Sequence, residues 1–233
     1  MARRAISASV DTSNFHDYKR QWLIKWVLEV NKRFVNDLLK PWVDLNKLLL
    51  VSYAVQPGLS EITRAAGSIA VALRHVNEQL DDKTSNKELD ALCPLISVMR
   101  DAGDFYKHGR LDKTSRNCPI VVKSAFEIDT VGGFRFLRNI VYLQHATYGD
   151  MDFMQVSRDV IKFWVDYKKI DVVWDVVVGV NNGSFLPKAF LTFDQRYCAN
   201  MHEFTLCFFK DVGGGVLEPS DTDFNFELKI LPV

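Results

Sequence analysis

The chain has 233 residues, 48% of them hydrophobic and 25% charged, which is the composition of an ordinary globular protein with material for a sizeable core and excludes a disordered chain. Lysine plus arginine equal aspartate plus glutamate at 29 each, so no net field draws the molecule to nucleic acid or an anionic membrane, and only a local patch can do so. Four dispersed cysteines, Cys93, Cys118, Cys198 and Cys207, show neither C-x-x-C spacing nor the density of a disulfide scaffold, and read as reduced, mostly buried thiols.

The N-terminus, MARRAISASV, has two arginines but no apolar run behind them, and no window approaches the roughly 18 to 20 apolar residues of a membrane helix. A cytoplasmic protein without a membrane segment is expected. Residues 1–14 read as a flexible tail. From Phe15, the apolar residues Trp22, Trp26, Val30, Phe34 and Leu38 recur every four positions and predict a helix whose tryptophans anchor a core. Pro41 should end or kink it, with helix resuming over Trp42 to Val51. After the Gln56-Pro57-Gly58 break, a second helix is predicted from Ser60 to about Leu80. Its small residues, Ala65, Ala66, Gly67, Ala70 and Ala72, suit close approach by a neighbour. A third helix is predicted from Lys87 to Lys107, with Pro94 tolerated near its start.

Beyond His108-Gly109 the pattern changes. Ile120, Val122, Phe126 and Ile128 fall on one face of a strand, Thr130-Val131-Gly132-Gly133 reads as a turn, and the stretch from Phe134 to Asp150 returns as the second arm of a hairpin. Asp150 or Asp152 can cap a helix carrying Phe153, Val156, Val160, Trp164 and Tyr167. The valine-rich run from Val172 to Val180 predicts a strand, Asn181-Asn182-Gly183 a turn, and Leu186 to Phe193, Phe204 to Lys210 and Phe224 to Ile230 further strands. The expected fold is α+β: an N-terminal bundle of about three helices (15–109) packed with a mainly antiparallel C-terminal sheet carrying one further helix (118–233), as layers of one unit.

Chemistry-bearing residues concentrate in two places, Arg100 to Arg110 and Arg138-Asn139 to His145. Arg138, Asn139 and His145 resemble the short signature of the HEPN group of helical domains, an arginine, often followed by asparagine, then a histidine after four to six intervening residues. The resemblance covers eight residues. It implies a metal-independent ribonuclease in which the histidine moves a proton and the arginine stabilises phosphate charge, as the different titration of imidazole and guanidinium allows. Arg100 and His108 form a similar pair with seven residues between them. That family carries its motif on a helix, whereas Phe134 to Thr147 has the composition of a strand, on which Arg138 and His145 would point to opposite faces.

The five histidines show no metal-ligand spacing, Gly213-Gly214-Gly215 lacks the lysine of a phosphate loop, and G-x-S-x-G does not occur, so no metal or cofactor is expected. Asp104, Asp129, Asp150 and Asp152 read as turn and cap residues. Lys107, His108, Arg110, Lys113 and Arg116, with Arg135 and Arg138 as further candidates and Phe105, Tyr106 and Tyr148 as stacking residues, form a basic cluster suited either to a solvated face or to phosphate binding. With no complete catalytic constellation, the expectation is a non-catalytic protein presenting a surface to a protein or nucleic-acid partner. A HEPN-like ribonuclease is the alternative, and an edge strand or the first helix offers a route to a homodimer.

Overall fold

The computed structural model describes residues 31–51, 58–187, 189–194, 206–221 and 226–231. Trp22 and Trp26 lie outside them, but Phe34 and Leu38 of the same stripe are buried. Pro41 shapes the helix around it, because its ring lacks an N–H and crowds the carbonyl four residues earlier. The chain widens into a π-type turn over Val35–Leu39, closed by the Lys40 N–H on the Val35 carbonyl, and helix resumes as α1 (Lys40–Leu48) with Pro41 in its first turn. The proline therefore changes the helix pitch and does not stop it.

The second helix is α2 (Gly58–Arg74), followed after His75 by the single turn α3 (Val76–Gln79). The predicted third helix is two. Ser85 and Glu88 form a capping box at the start of α4 (Asn86–Leu92), then Cys93 turns extended ahead of Pro94, and α5 (Leu95–His108) begins anew. A proline disfavours helical backbone in the residue before it, so Pro94 separates two helices where the sequence pattern predicts one. The small residues of α2 do bring α5 close. A Cβ on Gly103 would sit 2.7 Å from the Ala70 carbonyl oxygen, and one on Gly67 would fall 2.3 Å from the Tyr106 ring.

The hairpin forms as predicted, with β1 (Ile120–Ile128) antiparallel to β2 (Phe134–His145). Asp129 closes the turn by accepting the N–H groups of Val131 and Gly133, and Gly132 supplies the positive φ of 85°. The register shifts at Leu137, which is left over between the pairs Ala125 with Arg138 and Phe126 with Phe136, a β-bulge. β3 (Gly149–Asp152) pairs antiparallel with the end of β2 and leads into α6 (Phe153–Lys168), whose first N–H groups are capped by Asp152.

The sheet is mixed, not mainly antiparallel. Its order is β3-β2-β1-β5-β6, and β5 (Leu206–Asp211) runs parallel to β1, while β6 (Leu217–Pro219) returns antiparallel to β5. β4 (Ala189–Asp194) and β7 (Phe226–Leu231) form a separate parallel pair. Parallel neighbours arise because each partner arrives after a long connection instead of a tight turn.

The valine-rich run is extended but joins neither sheet. It is a strap across α1, held where Asn46 donates to the Val177 carbonyl and accepts the Gly179 N–H, both at 3.0 Å. Trp174 meets Trp42 edge-on at 5.2 Å between ring centroids, and Val172, Val176 and Val178 pack inward while Val173 is 96% exposed. Valine content sets an extended backbone, but the neighbour the strap meets is a helix. The expected turn at Asn181-Asn182-Gly183 is likewise absent, and the chain continues to an antiparallel bridge between Leu186 and Phe134.

Three donors close the C-terminal end of α1. The Asn139 N–H reaches the Leu49 carbonyl at 2.8 Å, Asn181 Nδ2 the Leu50 carbonyl at 2.8 Å, and Asn139 Nδ2 the Val51 carbonyl at 2.9 Å. A helix end leaves such carbonyls without internal partners, so the sheet and the strap complete the end of this helix. One buried cluster spans both layers, including Trp42, Ile69, Met99, Val141, Leu143, Phe153 and Trp164.

Candidate functional site

The C-terminal half of α5 and the loop after it sort their charged residues by helix position. Asp101 and Asp104 are three residues apart, share a face, and turn towards the sheet and α2. Asp101 accepts from Arg116 Nε at 2.7 Å and lies 3.2 Å from His145 Nε2. Asp104 accepts from Arg116 Nη2 at 3.1 Å and from Arg74 Nε at 2.9 Å. The chain His145–Asp101–Arg116–Asp104–Arg74 thus ties β2, α5, the turn Thr114–Arg116 and α2 together. The bond to Asp101 is the chief reason that the Arg116 guanidinium is held still further above its ordinary range, against the opposing effect of burial.

His145 has no capacity left. Its Nδ1 accepts the N–H of Thr147 at 3.1 Å and, more distantly, that of Tyr148, so the ring proton sits on Nε2 facing Asp101. The ring is 4% exposed. Cys118 lies nearby and is fully buried; burial, with a smaller contribution from Asp101, pushes its thiol up to about 12, so it supplies no thiolate near neutrality.

Phe134 to His145 being a strand, Arg138 and His145 are not brought together. Asn139, Val141, Leu143 and His145 point into the helical layer, while Arg138 follows the bulge on the opposite face and pairs with Asp152. Asn139 is fully buried, accepts from Ser124 Oγ at 2.7 Å and clamps α1, a packing role. Arg100 is gripped through both terminal nitrogens by Asp90, and His108 stands exposed at the end of α5, so this second pair is not assembled either.

The outward-facing residues differ in kind. Lys107, His108, Arg110 and Lys113 are exposed, their side chains make no hydrogen bond or ion pair among the described residues, and Asp112 is the single acidic side chain in that run. Gly109, at a φ of 72°, ends the helix and redirects the chain between them. Tyr106 is 38% exposed, its ring resting over Gly67. Arg116, placed in the same cluster on sequence, belongs instead to the inward network.

On the other face of the sheet the cations are compensated: Arg135 pairs with Glu127, Arg138 with Asp152 and Lys123 with Asp150. A recess of about 500 Å³ opens beside Tyr142, Cys207, Phe209 and Asp221, where burial raises both the tyrosine hydroxyl and the thiol out of their reactive forms. Asp129 and Asp152 are turn and cap residues, in agreement with the sequence. The inward role of Asp101 is not visible in the sequence, because its partners Arg116 and His145 are brought to it by the loop and by β2.

Among the described residues no group of three or more His, Cys, Asp or Glu side chains can hold a metal, and no helix is long and apolar enough to cross a membrane. No protein-family model, no curated protein and no solved structure matches the chain.

Proposed function

We propose that this is a non-catalytic binding protein whose partner face is the loop Lys107 to Lys113, and that the partner is anionic. The observation that carries the reading is the run of exposed Lys107, His108, Arg110 and Lys113 without ionic partners among the described residues, beside a junction where Arg74, Arg100 and Arg116 are all paired. Clustered uncompensated cations attract phosphate or carboxylate through release of bound counterions, and with zero net charge on the molecule such attraction is local and does not come from a global field. The engagement of both nitrogens of His145 supports binding over proton transfer.

The test is fluorescence anisotropy of the full chain against anionic polymers over a salt series. Lys107→Ala, Arg110→Ala and Lys113→Ala should each weaken binding about evenly across sequences and lower the salt slope by about one per lost contact. Unchanged affinity and slope in the triple variant would overturn the reading. Incubation with mixed RNAs in EDTA separates it from a HEPN-like ribonuclease using Arg138 with His145 or Arg100 with His108. Cleavage that disappears in His108→Ala or His145→Ala would favour the enzyme.

A further inference from the structure

The turn that docks on the segment after the basic loop carries an aromatic ring that the fold holds out to solvent. Tyr148 is 59% exposed, in the short turn between β2 and β3. Large aromatic rings are usually drawn into cores, so the means by which this one is kept outside is informative.

The turn is fastened at every residue. The Ala146 N–H donates to the Asn117 carbonyl at 2.9 Å, Thr147 Oγ1 donates to the Ser115 carbonyl at 2.8 Å, and the Thr147 and Tyr148 N–H groups converge on His145 Nδ1. The Tyr148 ring lies against the buried His145 ring at 4.7 Å between centroids, inclined by 41°. His145 is itself fixed through Asp101 to α5. The two bonds to Ser115 and Asn117 dock the turn on the segment that immediately follows Lys113. An exposed π-face and a run of cations without ionic partners are therefore mounted on one rigid junction.

Resting on the proposal of an anionic partner, we infer that the partner is a single-stranded nucleic acid, with an unpaired base stacking on Tyr148 while its flanking phosphates meet Lys113 and Arg110. Stacking is tolerant of sequence because every base has a π-face, and a ring anchored at its inner edge loses little freedom on binding. A duplex hides its base faces and offers the platform nothing. An acidic peptide uses the cations and leaves the ring without a role. The buried network acquires a purpose in this arrangement, since it holds the platform and the cation loop in fixed relation.

The experiment uses the full chain and fluorescein-labelled single-stranded RNA and DNA of mixed sequence, with the matching duplex, inorganic polyphosphate and poly-glutamate as comparators. Tyr148→Ala should weaken single-strand binding roughly 5- to 100-fold, the range of losing one stacked base, and leave polyphosphate binding within about twofold. Tyr148→Trp should restore or improve it. Thermal unfolding of both variants verifies the fold. If Tyr148→Ala leaves single-strand affinity unchanged, or if duplex or poly-glutamate binds as tightly as the single strand, the inference is overturned. Should Lys107→Ala, Arg110→Ala and Lys113→Ala still weaken binding in that case, the basic face stands and only the stacking platform falls. If they too are silent, both fall.

Discussion

Between Asp101 and Arg116 the chain carries two sets of charges with opposite fates. Asp101, Asp104 and Arg116 turn inward, where they meet His145 and Arg74 and compensate one another. Lys107, His108, Arg110 and Lys113 turn outward and meet nothing among the described residues. Arginine and histidine are structural on one side of the helix end and available on the other, and what separates them is whether a carboxylate faces them. An arginine is informative about function only once its counter-ion is known.

The sharpest way to break this comparison is to remove the acceptor at its inner centre. Asp101→Ala strips the carboxylate from Arg116 Nε and His145 Nε2 together. Breaking a buried pair by deleting one partner costs about 3 to 5 kcal/mol. Arg116 remains partly open to water and keeps Asp104, so the expected loss is at the lower end, about 3 kcal/mol by urea denaturation. A loss below about 0.5 kcal/mol would mean that the network orders the junction without stabilising it.

Asn139→Ala comes next. It empties a fully buried position and removes the hydrogen bonds to the Ser124 hydroxyl and the Val51 carbonyl, for an expected loss of about 2 kcal/mol. Because Asn139 is the middle residue of the Arg-Asn…His pattern, RNA cleavage lost without loss of stability would move it from packing to chemistry.

A smaller effect depends on pH. Asp82 accepts the Thr84 N–H at 2.7 Å and lies 2.7 Å from Lys168 Nζ at the end of α6. Burial works to raise its carboxyl, but Lys168 and Thr84 outweigh it and hold the group below the ordinary 3.8. A depressed carboxylate contributes stability that is fully present above 3.8 and fades as pH falls through the lower folded value. Asp82→Asn should therefore cost about 1 kcal/mol at pH 7, with wild type and variant converging below that point, as measured by denaturant midpoints across pH.

Much of the frame is legible in the sequence because it rests on local signals. The β1–β2 hairpin declares itself through alternation around Asp129 to Gly133, and α6 through Asp152 ahead of a stripe from Phe153 to Trp164. The opposition of Arg138 and His145 also follows from strand parity, and survives because the bulge at Leu137 precedes both residues. What is not legible depends on distant partners. The register of Ala125 against Cys207 makes the sheet mixed, yet no residue near either position specifies a parallel neighbour. The strap's valines encode extension without saying that Asn46 of a helix would take the place of a strand edge. Asp101 is hidden in the sequence because an aspartate on a helix reads as surface unless its partners, brought by β2 and by the loop, are known.

The smallest expected effect tests the outer half of the comparison. Lys107 and His108 occupy the last turn of α5, where a positive charge meets the helix's negative end and is worth a few tenths of a kcal/mol. Arg110 and Lys113 lie beyond the helix, exposed and without ionic partners among the described residues, so neutralising them removes little. The triple variant Lys107→Ala, Arg110→Ala, Lys113→Ala should therefore shift stability by no more than about 0.5 kcal/mol in urea denaturation. That near-zero value gives the binding measurement its meaning. Lost affinity at unchanged stability assigns the loop to a partner. A stability loss rivalling that of Asp101→Ala would show that these side chains hold the junction as the inner ones do, and the division between enclosed and available charge would disappear.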